Sequence, residues 1–250
     1  MVIIGVVLIA VVGVVAVGTG LIGTGLWFAS KDTSTKPSSS TASVPTQKPN
    51  FANAPAGAPI GVNSMGSPTA TVTVEEFADY QCGGCAAAHP IMKEVQAVYA
   101  GNRNFRFVFR HLPLAIPAHD KSFNAALATE AAGFQGKFWQ FQDLLFKNQS
   151  SWTSNPNYLS IWEGYATSIG MDVARFRSDM EGSIAKQRVD ADIMRARGLA
   201  VTSTPTVLVN GAVVPATTAA VRTAVDSAIQ QAASNSAANA VAPAANSANR

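Results

Sequence analysis

Hydrophobic and polar positions divide the chain into four stretches of different texture. The first, MVIIGVVLIAVVGVVAVGTGLIGTGLWFAS, contains only apolar residues, Gly, Thr and Ser, and the first charged side chain is Lys31. A membrane-crossing helix takes about 20 apolar residues, whereas a secretory h-region takes only about 7–15. Residues 1–29 are therefore read as an uncleaved transmembrane anchor, with its span at 3–28 and with Trp27 and Phe28 at the interfacial end. Residues 30–62 are Ser/Thr/Pro-rich and almost free of large apolar side chains. Such a stretch cannot bury enough surface to offset its ordering entropy and is read as a linker. Residues 233–250, ASNSAANAVAPAANSANR, make a low-complexity tail by the same test. What remains, 63–232, is long enough for one domain around one core.

Inside that stretch the periodicity changes several times. TATVTVEEF (69–77) alternates and is β-branched, so it predicts a strand. The segment after Cys85 carries Ile91, Val95, Val98 and Tyr99 at helical spacing, with Gly101 beyond the end. NFRFVFRHL (104–112) is a second alternating strand, so strand, helix and strand form a βαβ unit with a right-handed crossover. Near the other end PTVLVNGAVVP (205–215) predicts two short strands joined by Asn210-Gly211, the signature of a type I′ turn. A closing helix follows at about 217–232. Between the halves, 113–198 reads helical, with Phe138, Phe141 and Leu145, then Trp162, Ala166 and Ile169, then Phe176 and Met180 as core stripes. Its last helix is expected to end with Gly198 as the left-handed cap. The fold class is α/β, with βαβ and ββα halves around a mixed sheet and a helical subdomain inserted between them.

Eighteen Lys and Arg against fifteen Asp and Glu give a formal charge of only +3. No basic run stands out, so nucleic-acid binding has no support. The chemistry is concentrated in FADYQCGGCAAAHP (77–90), which holds both cysteines of the chain, Cys82 and Cys85. A structural staple across so short a loop would remove only about 2 kcal/mol of unfolded-state entropy, against roughly 3 for a 15-residue loop. Zinc needs four ligands, and His89, His111 and His119 do not form a second pair. The redox reading fits the surroundings best. A strand runs into the pair and a helix leaves it, placing Cys82 at a helix N-terminus where unpaired amides favour a thiolate. Cys85, one turn on, is placed to resolve a mixed disulfide formed by Cys82, and CxxC beside a βαβ unit is the sequence sign of thioredoxin-type chemistry.

VTVEEFADYQCGGC resembles the active-site segment of the DsbA-like thiol:disulfide oxidoreductases, which are thioredoxin folds with a helical insertion. The resemblance continues through FRFVFRHLPL, AALATEAAGFQGKFWQFQDLLFKNQ and GLAVTSTPTVLVNG, covering about 65–232 in the family's order. It implies that TSTPTVLVNG holds a cis-proline loop, with Thr204 and Pro205 against the CxxC and offering backbone to an extended substrate. It also implies that Glu76 is a buried carboxylate relaying the proton of Cys85, with neighbouring Glu75 on the opposite face of the strand. Gly83-Gly84 stands where DsbA itself carries Pro-His, so a less oxidising couple is expected. His89 is expected to be a surface or capping residue, and Pro90 to kink the first helix.

The resemblance implies a membrane-tethered enzyme that oxidises cysteine pairs of exported proteins. It would use no cofactor beyond the Cys82–Cys85 disulfide and no metal, and would act as a monomer. Its electrons would pass to a membrane quinone-linked reoxidase of the DsbB or vitamin K epoxide reductase type. Lys31, Lys36 and Lys48 after the anchor would by themselves put the domain in the cytoplasm. Disulfide donors persist outside it, so the expected location is the cell membrane, single-pass, with the catalytic domain on the extracytoplasmic side. The alternatives are a reductase or isomerase on the same fold, or a tethered binding module whose disulfide is inert.

Overall fold

The β-branched run before the cysteines pairs on both sides and becomes the centre of a mixed sheet. The structure, a computed structural model, describes residues 56–245. A short strand β1 (Ser64–Gly66) leads into β2 (Val72–Ala78), helix α1 (Gly83–Val98) and β3 (Phe105–His111). A 3-10 turn (Pro117–His119) then opens the helical insertion. It consists of α2 (Ser122–Gly133), α3 (Phe138–Lys147), α4 (Gln149–Trp152), α5 (Tyr158–Ser168), α6 (Val173–Glu181) and α7 (Ser183–Gly198). The chain closes with β4 (Thr206–Val209), β5 (Ala212–Val214) and α8 (Thr218–Ala245). The strand order is β1-β3-β2-β4-β5, with β2 and β3 parallel and the other pairs antiparallel. This is the expected α/β architecture, a βαβ half and a ββα half with the helical block between them.

Helices cover both faces of the sheet, which explains why β2 is buried along nearly its whole length. Val72, Val74 and Ala78 face the larger core, shared with Met92 and Val95 of α1 and with Val221 and Val225 of α8. Phe77 points the other way, into a smaller core with Ala196, Leu199 and Leu208. The insertion is locked by the aromatic stripes read from the sequence. Phe138, Phe141, Leu145, Trp162, Ala166 and Phe176 are all buried. The Asn210-Gly211 turn has φ of 45° and 88°, the two positive values that a type I′ hairpin demands.

Several expectations are corrected. No helix among the described residues is long and apolar enough to cross a membrane. The single-pass placement with an extracytoplasmic domain therefore does not stand, and the expected transmembrane element, segment 3–28, lies outside the described residues. Residues 56–62, read as linker, are docked on the domain: Ala58 is buried and its amide donates to Asp192 Oδ1 at 2.8 Å. Strand β1, with three residues and a glycine, has no legible alternation, yet it pairs with β3 at the sheet edge. Val98 is 46% exposed rather than core, because α1 ends there and turns away. Gly198 is the last helical residue, and the left-handed position falls at Ala200 (φ 54°). That strain is over-determined by the Val201 amide, which closes onto Ala196 O at 2.8 Å as Val201 enters the small core. Finally α8 continues past 232 through the Ala-rich segment once read as tail, as the high helix propensity of alanine allows.

Candidate active site

β2 ends at Ala78 and α1 begins at Gly83, so the CxxC occupies the strand-to-helix junction. Cys82 is the N-cap of α1, extended at φ −73°, ψ 118°, and its carbonyl accepts from the Cys85 and Ala86 amides at 3.1 Å each. Its side chain is partly exposed, while Cys85 is fully buried in the large core. Burial pushes the Cys85 thiol well above the ordinary range, against the opposing pull of the Asp79 amide, which approaches Sγ at 3.5 Å, and of the Thr204 side chain. The pair is thus asymmetric: one accessible sulfur at a helix N-terminus and one sulfur whose charged form is disfavoured.

The structure brings Thr204 and Pro205 to this pair. The Thr204–Pro205 bond is cis, and Cys82 Sγ lies 3.5 Å from Thr204 O. A Cβ on Gly84 would meet Pro205 Cδ at 3.2 Å and Cys82 Sγ at 3.7 Å, whereas one on Gly83 would meet nothing within 4 Å. Gly84 therefore lets the proline loop close on the helix start, and Gly83 faces open space.

Glu76 is 3% exposed, on the face of β2 that also carries Val74 and Ala78, above the core that contains Cys85. Desolvation pushes its pKa from 4.5 up to about 8. Glu75 is also buried, which strand alternation alone did not anticipate, because α7 covers the opposite face of the sheet. Its carboxylate takes a bidentate pair from Arg195 at 2.7 and 2.8 Å and lies 3.7 Å from Arg110. Arg110 in turn donates to Asp192 at 2.9 Å. The two glutamates are chemically distinct: Glu75 has cationic partners and Glu76 keeps a proton.

Three polar features near the site were not legible in the sequence. Asp79, buried, accepts from the amides of Gln81 and Leu114 at 2.7 Å each and from Ser122 Oγ, and it pairs with His119 Nδ1 at 2.8 Å. It ties the turn before Cys82 to the start of the insertion. His111, at the end of β3, pairs with Glu130 of α2 at 3.2 Å, and Arg188 of α7 binds the same carboxylate. Burial opposes the charge on Glu130, but His111 and Arg188 outweigh it and hold its pKa below the ordinary value. His89 is not at the surface: its ring packs on Phe146 at 4.9 Å and its Nε2 is 3.0 Å from Asp143 Oδ1. Desolvation lowers its pKa despite that carboxylate. The only cue in the sequence was that His89 follows Cys85 by one turn, on the inward face of α1. Helix α1 runs continuously through Pro90. Among the described residues no group of three or more His, Cys, Asp or Glu is arranged to hold a metal ion.

Comparison with known proteins places this arrangement in context. A family model described as "Thioredoxin" matches residues 61–227. Among solved structures the chain is similar to a thioredoxin-like oxidoreductase from Silicibacter pomeroyi DSS-3, at 28% identity and a TM-score of 0.56, over 69% of this chain and 92% of that one. It shares the fold of oxidised BdbD from Bacillus subtilis, at 23% identity and a TM-score of 0.60, over 71% of this chain and 98% of that one. Among curated proteins it is 38% identical over 142 residues to "Na(+)/H(+) antiporter NhaA 1" of Salinispora arenicola, a match covering 57% of this chain. The chain spans about a fifth (20%) of the length of that relative.

Proposed function

The chain belongs to the thioredoxin family, and from that premise we propose that it is a thiol:disulfide oxidoreductase which oxidises cysteine pairs of protein substrates through its CGGC couple. The observation that supports this most is the asymmetry of the pair: Cys82 partly exposed at the N-terminus of α1, Cys85 buried, and the Thr204 carbonyl 3.5 Å from the Cys82 sulfur. The order of elements, with a helical insertion between β3 and β4, is that of the DsbA-like branch.

In the working direction a substrate thiolate attacks Cys82 Sγ of the oxidised couple, and the bond to Cys85 breaks with the electron pair leaving on Cys85. A buried thiolate is disfavoured there, so a proton must follow. Glu76, which keeps its proton up to about pH 8 in the same core, is assigned as its source. The second substrate thiolate then attacks the substrate sulfur of the mixed disulfide, and Cys82 departs as a thiolate stabilised by the amides of the helix start. The substrate gains a disulfide and the enzyme becomes a dithiol. A peptide strand would align along Thr204 and Pro205 by main-chain pairing. The two electrons leave through a separate oxidant, for which a quinone-linked reoxidase of the DsbB or vitamin K epoxide reductase type is proposed. The Cys82–Cys85 disulfide is the only redox group the reaction requires, and the domain acts as a monomer.

Gly83-Gly84 brings no cation to Cys82, and that observation keeps the reductase direction as a second reading. Trapping tests the site itself. Cys85→Ser should accumulate mixed disulfides with reduced substrate proteins on non-reducing gels, while Cys82→Ser should accumulate none. Adducts on Cys82→Ser instead would reverse the roles, and none on either would leave an inert pair.

A further inference from the structure

Besides the Asp79 tie, a side chain of the insertion reaches the backbone of Cys82 itself. Gln149, the first residue of α4, donates through Nε2 to Tyr80 O at 2.8 Å and to Cys82 O at 3.0 Å. Both partners are carbonyl oxygens, so only the amide nitrogen can face them and the orientation of the side chain is settled by its partners. The residue is half-buried, its carbonyl accepts from the Thr153 amide at 3.1 Å, and Trp152 lies three positions on in the same short helix. Trp152 is fully buried, donates from Nε1 to Leu145 O at 2.9 Å and packs edge-on against Trp162 at 5.3 Å.

We propose that Gln149 is a positioning residue by which the inserted helical subdomain sets the redox poise of the CGGC couple. The inference rests on the functional reading above and adds to it a determinant outside the dipeptide. Two effects act in the same direction. A donor on Cys82 O withdraws electron density from the Cys82–Gly83 peptide unit and strengthens its N–H, one of the amides that favour the Cys82 thiolate. The same donor offsets the negative ends of the Tyr80 and Cys82 carbonyl dipoles, on the turn that carries the sulfur. Both stabilise the charged dithiol form relative to the disulfide, and stabilising the reduced form makes a couple more oxidising. Because Gly83-Gly84 supplies no side-chain donor of its own, the contribution of Gln149 is not masked by a stronger neighbour.

The test compares full-length wild type with Gln149→Leu, which keeps the bulk and removes the donor, and Gln149→Glu, which places an acceptor against the two carbonyls. Each is equilibrated with glutathione buffers, and the Cys82 thiolate is titrated by its absorbance near 240 nm. Gln149→Leu should shift the glutathione equilibrium toward the disulfide about three- to tenfold, which is about 15–30 mV at 29.6 mV per tenfold for two electrons. The thiolate titration should move up, and Gln149→Glu should move both further in the same direction. An equilibrium and a titration unchanged in folded Gln149→Leu would overturn the proposal, leaving Gln149 a purely structural tie. If Gln149→Leu does not fold, Gln149→Glu decides by the same readings; if neither folds, the role is structural and the proposal fails. A wild type that shows no reversible exchange with glutathione would overturn the functional reading as well, and is thereby distinguishable.

Discussion

Replacing Glu76 with glutamine should change the pH dependence of stability in a calculable way. Glu76 is buried, and desolvation pushes its pKa from 4.5 to about 8. Between these values the native protein holds a proton that the unfolded chain has released. Stability therefore falls as pH rises through this window, and it stays reduced above it. At about 1.4 kcal/mol for each pH unit, the loss accumulated between pH 4.5 and about 8 is roughly 5 kcal/mol. The Glu76→Gln variant cannot ionise and should escape that loss. Urea unfolding of both proteins across pH 4.5–9 isolates the effect, since every other carboxylate cancels in the difference. The two should be nearly equal at pH 4.5, and the variant should be more stable by a few kcal/mol at pH 9. For a domain of this size that corresponds to about 10–20 °C in melting temperature. A difference that stays constant with pH would refute a proton-holding Glu76. The same variant should slow exchange, because it cannot supply the proton that Cys85 takes up.

Gly83→Ala should raise stability by about 0.5–1 kcal/mol with exchange unaffected, since its Cβ meets open space in a helical turn. Gly84→Ala should slow exchange with protein disulfides, because its Cβ would press on Pro205 Cδ from 3.2 Å. Equal exchange rates for both in stopped-flow assays would refute that account of the contact. Asp192→Leu should cost about 3–5 kcal/mol in urea unfolding, because it leaves Arg110 buried without its carboxylate and the amides of Ala58 and His111 without an acceptor. Stability within 1 kcal/mol of wild type would mean that Glu75 compensates for the loss.

The fold was legible where one physical signal dominated. Alternation marked β2 and β3, aromatic stripes marked the insertion, and Asn210-Gly211 marked the hairpin. The CxxC at a strand-to-helix junction and the TSTP loop marked the two sides of the site. The features that escaped depend on partners far along the chain. Glu75, Glu130, Asp192 and Arg110 look like solvated charges in isolation. Each is buried because a residue at least 58 positions away neutralises it, as Arg188 does for Glu130 and Arg195 for Glu75. Asp79 and Gln149 escaped because half of the partners of Asp79 and both of those of Gln149 are backbone groups that no side-chain pattern announces. His89 was misplaced because its neighbour Phe146 belongs to another helix. The tail was misread because low complexity argues against a core but not against an alanine-rich helix.

The central claim is that Cys82 and Cys85 form a reversible exchange couple, and its most direct test is the equilibrium of the wild-type chain with glutathione, read by thiol alkylation. The account predicts one two-electron transition between a Cys82–Cys85 disulfide and the dithiol, with a midpoint above the thioredoxin value of about −270 mV and below the DsbA value of about −120 mV. A pair that never equilibrates with glutathione would contradict the account outright, and a midpoint at or below −270 mV would contradict its oxidising direction.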